Sequence, residues 1–291
     1  MFSGSYVAMV TPWTEDGSRI DFDAIRELVE FHVRGGTDGI LPAGTTGESA
    51  TLTHEEQREL MEKVVQFVDG RTKVLAGAGS NSTAEAVSLA KHAKSVGADG
   101  VLVITPYYNK PTPEGLFRHF EAVAGACDLP VMMYNVPGRT GTNMAPETSA
   151  RIFREVGSVV AIKDATDDVD QANDLMNLCD IAVLSGADSL TYPLMALGGK
   201  GVVSVIANIV PDRMKALCDA AAAGDFQTAR EIHFGLLPLM RTMFCETNPI
   251  PVKTATRLMG LTNGVFRLPL CDLRPENLER VTAALREAGL L

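Results

Sequence analysis

Short apolar runs alternate with longer segments of helical spacing through most of the chain. Residues 6–11 read as a strand, and from Asp21 onward Ile25, Leu28, Val29 and His32 recur on one face of a helix. Residues 39–41 make a second, short strand. Thr53 with Glu56 three positions later is a capping-box pattern, opening a helix to about Val68. Further strands are predicted at 74–77, 100–105, 129–135, 159–163, 181–185 and 201–206. Between them run helical patterns: one capped by Thr83 and carrying Ala86, Val87, Ala90 and Ala93, and one starting at Thr112 with Pro113 in its first position. Three more span 145–155, 169–178 and 190–197.

Eight strands alternating with helices imply βα units and a parallel sheet. Eight such units point to an α/β fold of the (β/α)8 TIM-barrel type, for which about 250 residues is typical. The competing open, doubly wound sheet usually carries a GxGxxG turn after its first strand. Here that strand ends in Thr11-Pro12-Trp13. Beyond residue 206 the pattern is helical only, at 211–223, 226–244, 251–259 and 275–288. The first of these completes the barrel. The expected division is therefore a catalytic barrel at 1–224 and a C-terminal helical appendage at 225–291, which covers one barrel face or makes a subunit contact.

Composition narrows the function. The chain has 291 residues, 46% of them hydrophobic, enough for a sizeable core. A formal charge of −10 disfavours nucleic acid or an anionic membrane as partner, since both require a basic face. Residues 1–10 lack the basic and apolar regions of a secretory signal, and no run is long enough to span a bilayer. The five cysteines are scattered, without zinc spacing, and read as reduced thiols of a cytoplasmic protein. The five histidines form no HExxH or HxH motif, so no metal is expected.

In such a barrel the site lies where strands end and the βα loops begin. The unusual residues gather there. Strand two is followed by Pro42-Ala43-Gly44-Thr45-Thr46-Gly47-Glu48-Ser49, strand four by Pro106-Tyr107-Tyr108-Asn109, and strand five by Val136-Pro137-Gly138-Arg139. Strand six ends in Lys163, strand seven in Ser185-Gly186, and strand eight in Ser204 to Asn208. Loops at the opposite end, such as Gly35-Gly36-Thr37, are plainer. Gly198-Gly199-Lys200-Gly201 precedes a strand, lies on the wrong face and reads as a turn. Two hydroxyls between glycines make either a tight turn or an anion cradle. Arg139 is either a solvated loop arginine or a bidentate carboxylate clamp. A strand-end lysine usually snorkels to water or pairs with a neighbour such as Asp164. A lysine that is instead desolvated loses its proton more readily and can attack a carbonyl to form a Schiff base.

Gly44-Thr45-Thr46-Gly47-Glu48, Thr105-Pro106-Tyr107-Tyr108-Asn109-Lys110-Pro111, Tyr134-Asn135-Val136-Pro137 with Arg139, Ile162-Lys163-Asp164-Ala165-Thr166 and Asn248-Pro249-Ile250-Pro251-Val252-Lys253 together resemble the pyruvate-dependent class I aldolase family. The resemblance runs from Phe2 to Leu291. It implies that Lys163 forms a Schiff base with pyruvate and that Thr45 and Thr46 hold the pyruvate carboxylate. The backbone at Val203 would line the pocket, with Gly186 among the substrate-binding residues. Tyr134 would donate and accept protons. Thr45 and Tyr108 would complete a relay to solvent, Tyr108 coming from a neighbouring subunit. Arg139, in its Gly-Arg-Thr setting, would bind the carboxylate of L-aspartate 4-semialdehyde, which selects that substrate over N-acetylneuraminate chemistry.

The implied activity is a lyase of lysine and diaminopimelate biosynthesis, needing no cofactor and working as a homotetramer, a dimer of dimers. A related aldolase acting on another aldehyde is the alternative. A silent barrel that senses a metabolite is the rival from another class, against which the full set of Lys163, Tyr134, Thr45 and Tyr108 counts. The family also implies an L-lysine effector site at Ser49, Ala50, His54, Asn81, Glu85 and Tyr107. Three positions depart from the family pattern: Gln57 stands where some lysine-sensitive members have histidine, Asp167 where glycine is usual, and Ala187 where aspartate is common.

Overall fold

The computed structural model describes residues 2–291. Eight parallel strands close into a barrel in sequence order: β1 (Gly4–Ala8), β2 (Gly39–Leu41), β3 (Lys73–Gly77), β4 (Gly100–Ile104), β5 (Val131–Asn135), β6 (Val159–Asp164), β7 (Ala182–Ser185) and β8 (Gly201–Ser204). Closure comes from β1 pairing β8, with Gly4 opposite Gly201 and Tyr6 opposite Val203. Around the strands lie α1 (Phe22–Arg34), α2 (His54–Val68), α3 (Thr83–Ser95), α4 (Pro113–Cys127), the one-turn α5 (Pro137–Thr140), α6 (Pro146–Glu155), α7 (Val169–Leu178), α8 (Thr191–Ala196) and α9 (Pro211–Ala222). Three helices follow: α10 (Phe226–Thr242), α11 (Ile250–Leu258) and α12 (Pro275–Glu287). Among the described residues no helix is long and apolar enough to cross a membrane.

Strand alternation divides the core in two. Tyr6, Ala8, Leu41, Leu75, Leu102, Met132, Tyr134, Ala161, Leu184 and Val203 fill the barrel. Their outward neighbours, among them Val7, Ile40, Val101, Met133 and Ile162, pack against the ring of helices. The apolar faces of α10, α11 and α12 join this outer core through Met240, Val252, Ala255, Val281 and Leu285.

The predicted elements are present, with several boundaries moved. β1 stops at Ala8 rather than Thr11 because the Asn208 side chain replaces a strand partner. It donates to the Ala8 carbonyl (2.8 Å) and accepts from the Val10 amide (3.0 Å). β8 stops at Ser204 because the Asp188 carboxylate accepts from the Val205 (3.1 Å) and Ile206 (3.0 Å) amides. The chain then turns through Ile206–Asn208. β5 starts at Val131, after Pro130, which has no amide proton to give a ladder. Thr53 and Glu56 do form the capping box. The cap of α3 is Ser82, not Thr83. The Thr83 hydroxyl instead meets His119 Nδ1 at 2.9 Å. Asp167 sits at φ +60°, the left-handed region glycine favours, so this departure keeps the loop shape at a cost of about 1 kcal/mol in strain.

Three histidines are buried: His32, His119 and His233. His32 has no hydrogen-bond partner on either ring nitrogen. Burial pushes its pKa down to about 3, and that of His119 down to about 4. Both rings fold neutral, whereas the unfolded chain takes up their protons below about pH 6.5. The stability they contribute is complete above that value and is lost as pH falls toward the folded values, at about 1.4 kcal/mol per pH unit for each ring. Urea unfolding should therefore show a declining free energy from pH 6.5 to 4.5, with a shallower decline in His119→Gln. Equal slopes in the two proteins would contradict this.

Candidate active site

Alternation along β5 and β6 turns Tyr134 and Lys163 into the barrel, and the register places them side by side. Lys163 is 5% exposed, and its Nζ lies 4.4 Å from the centroid of the Tyr134 ring. Asp164, the neighbour that sequence offers as an ion-pair partner, faces the other way. Its Oδ1 accepts from the Thr166 amide (3.0 Å) and hydroxyl (2.7 Å). Among the described residues Lys163 forms no ion pair. Gly186 gives the lysine stem its room. A Cβ there would stand 3.1 Å from Lys163 Cε, 2.6 Å from Ala165 Cβ and 2.9 Å from the Asp164 carbonyl oxygen.

The Gly44–Ser49 turn closes over the same end of the barrel. The Glu48 amide donates to the Thr45 carbonyl (3.1 Å) and the Ser49 amide to that of Gly44 (3.2 Å). Thr45, Gly79, Ile104 and Tyr134 share the wall of one small cavity. Thr46 is buried, and its Oγ1 accepts from Asn248 Nδ2 at 3.0 Å. A hydroxyl that already accepts one bond keeps its own proton to donate. Thr45 thus shares a cavity wall with Tyr134, whose ring lies beside the buried amine, an arrangement suited to a small carboxylate-bearing carbonyl compound.

Arg139 is carried by α5 at the rim. It is exposed, and its Nη2 donates to the Asn248 carbonyl at 2.9 Å, so its fork is turned over the same mouth. Val203 is fully buried on β8. Tyr108 stands apart: it is 89% exposed, with φ +74°, and does not reach this chain's own cavity.

A second group lies outside the mouth. His54 Nε2 is 3.7 Å from Glu85 Oε2, which also accepts from Ser80 Oγ at 2.6 Å. Ser49 and Ala50 sit in the single turn leading to His54 at the start of α2. Asn81 accepts through its carbonyl from Asn109 Nδ2 (2.9 Å), beside the half-exposed Tyr107. Gln57 does not join them, because its buried amide donates to the Gly77 carbonyl at 2.9 Å.

Sequence reasoning gave no role to Asn248, Asp188 or the Glu48–Lys253 pair. Lys253 is fully buried on α11, paired with Glu48, and over the rings of Trp13 (5.4 Å) and Phe266 (5.2 Å). Burial pushes its pKa down to about 8 against the pull of Glu48. Burial raises that of Asp188, with the charge of Lys163 among the influences pulling it back. The available signals were the family motifs that contain Glu48, Asn248 and Lys253, and a charged residue inside the apolar stripe of α11. Among the described residues no three metal-ligating side chains gather as a site.

The Dihydrodipicolinate synthetase family model matches residues 1–288 of the chain. A 4-hydroxy-tetrahydrodipicolinate synthase from Geobacter sulfurreducens is 52% identical over 293 residues, which covers 100% of each chain. Among solved structures, a dihydrodipicolinate synthase from Aquifex aeolicus is similar with a TM-score of 0.97 and 48% identity, covering 99% of both chains. DHDPS from Cyanidioschyzon merolae, solved with lysine bound, has a TM-score of 0.97 and 40% identity, covering 100% of this chain and 99% of that one.

The tight fit around Lys163 yields a stability test. Gly186→Ala should lower the urea unfolding free energy by ~1–3 kcal/mol through overpacking. Gly138→Ala, where nothing lies within 4 Å of the added methyl, should stay within ~0.5 kcal/mol of the parent. Equal effects at the two sites would contradict the packing described.

Proposed function

The chain belongs to the dihydrodipicolinate synthetase family, and we infer from its site that it condenses pyruvate with L-aspartate 4-semialdehyde to give 4-hydroxy-tetrahydrodipicolinate. The observation that carries this reading is the buried, unpaired amine of Lys163 lying in register beside Tyr134, which shares a cavity wall with Thr45.

The chemistry follows from those positions. The Lys163 amine attacks the ketone carbon of pyruvate, and loss of water leaves an iminium. Thr45 and Thr46 hold the carboxylate through hydroxyl and backbone donors. The iminium draws electrons from the methyl group, which gives up a proton to the Tyr134 oxygen and becomes an enamine. The enamine carbon attacks the aldehyde, and the new alkoxide takes a proton back. The amine of the semialdehyde then displaces Lys163, closing the ring and freeing the enzyme. Arg139 clamps the semialdehyde carboxylate at the rim. Val203 and Gly186 bound the pocket, one through its backbone and the other through the space it leaves.

Assembly belongs to the same reading. Tyr108 is exposed and held at positive φ, a strained conformation that fits a residue placed for another chain. In a homotetramer built as a dimer of dimers it enters a neighbour's site and completes the relay from Tyr134 through Thr45. The cluster of Ser49, Ala50, His54, Asn81, Glu85 and Tyr107 takes L-lysine, whose ammonium group pairs with Glu85. Gln57, engaged with Gly77, offers that ligand nothing. The enzyme works in the cytoplasm.

A turnover assay tests the reaction. Purified protein should consume aspartate semialdehyde only when pyruvate is present. Arg139→Ala should raise the KM for the semialdehyde by about 10–100-fold, the worth of a charged hydrogen-bond pair, with a much smaller change for pyruvate. Turnover of another aldehyde in place of the semialdehyde would overturn the substrate assignment.

A further inference from the structure

The turn that carries Thr45 and Thr46 is held from behind by charge. Glu48 closes it in the left-handed region, at φ +56°, which costs a non-glycine residue about 1–2 kcal/mol. Its side chain is fully buried. One carboxylate oxygen pairs with Lys253 Nζ, and the other accepts from Trp13 Nε1 at 3.2 Å. Lys253 is equally buried, on α11, 205 positions along the chain. The same stretch also carries Asn248, which meets Thr46 with its side chain. A buried ion pair is a poor source of net stability, since desolvating both charges offsets most of their attraction. Its better-attested use is to fix one geometry among several.

We propose that the Glu48–Lys253 ion pair is a positioning device for the carboxylate cradle, holding the Thr45–Thr46 turn in the one shape that binds the 2-oxo acid. The inference rests on the functional reading above and adds a residue pair that touches no substrate. If Lys253 is removed, Glu48 loses its counter-ion and keeps only the hydrogen bonds from Trp13 Nε1 and the Arg267 amide on its other oxygen, and the turn is free to relax out of its left-handed closure. The hydroxyls then meet the pyruvate carboxylate in the wrong place. The loss falls on binding of the first substrate and on the relay through Thr45, while Lys163 and Tyr134, on β6 and β5, keep their positions and the semialdehyde contact at Arg139 is untouched.

Three variants test this: Lys253→Met, Glu48→Gln, and the two combined. Removing both charges together should restore most of the thermal stability lost in Lys253→Met. The pyruvate KM should nevertheless stay raised at least about ten-fold in the double variant, with the semialdehyde KM within about three-fold of the parent, while kcat falls because the Thr45 hydroxyl of the relay is displaced. Glu48→Gln, which keeps the side-chain shape and the Trp13 contact, carries the same measurement if Lys253→Met does not fold. A folded variant lacking the pair and showing a parental pyruvate KM would overturn the proposal. So would a loss in which kcat and both KM values move together in step with melting temperature. Parental turnover separates the two levels of the account. Its absence removes the functional reading and this inference with it, whereas parental turnover with an unshifted pyruvate KM removes this inference alone.

Discussion

In a closed ring of parallel strands, alternate side chains are forced inside, and the interior has little room for water. Lys163 falls on an inward position of β6 beside Tyr134, so its amine is buried by the same alternation that builds the core. Among the described residues it forms no ion pair: Asp164 takes the outward position and is occupied by Thr166, and Asp188 is taken up by the Val205 and Ile206 amides. A buried amine outside any ion pair leaves its nitrogen open to a carbonyl partner. The hydroxyls of the Gly44–Ser49 turn, the rim arginine and the gap at Gly186 are arranged around that one constraint.

Segments remote in sequence hold the arrangement. Asn208 ends β1, Asp188 ends β8, and Asn248 joins Thr46 to Arg139. Lys253 reaches back to Glu48. Each uses a polar side chain to satisfy backbone or side-chain groups where the sheet gives out, which is where unpaired groups would otherwise be buried. α11 and the residues just before it are therefore part of the site's framework: Lys253 and Asn248 both meet the turn that carries Thr45 and Thr46.

The periodic parts of the molecule were legible in the sequence. Eight apolar runs and the helices between them follow from alternation and helical spacing, and the barrel from their number. Lys163 could be placed at a strand end, and the motifs around Thr45, Tyr134 and Lys163 carried the family resemblance. Strand ends were less legible, because Asn208 and Asp188 terminate β1 and β8 through contacts that no local pattern encodes. The support behind Glu48 was hidden for the same reason, its partner lying 205 positions away. Thr83 shows the limit at short range: both it and Ser82 can cap α3, and contact with His119 on α4 accompanies Ser82 as the cap.

The most direct measurement is reduction with borohydride in the presence of pyruvate, followed by mass mapping of the peptides. The account predicts a single stable adduct on the peptide containing Lys163, absent without pyruvate and absent in Lys163→Ala. An adduct on another lysine, or full turnover by Lys163→Ala, would contradict it.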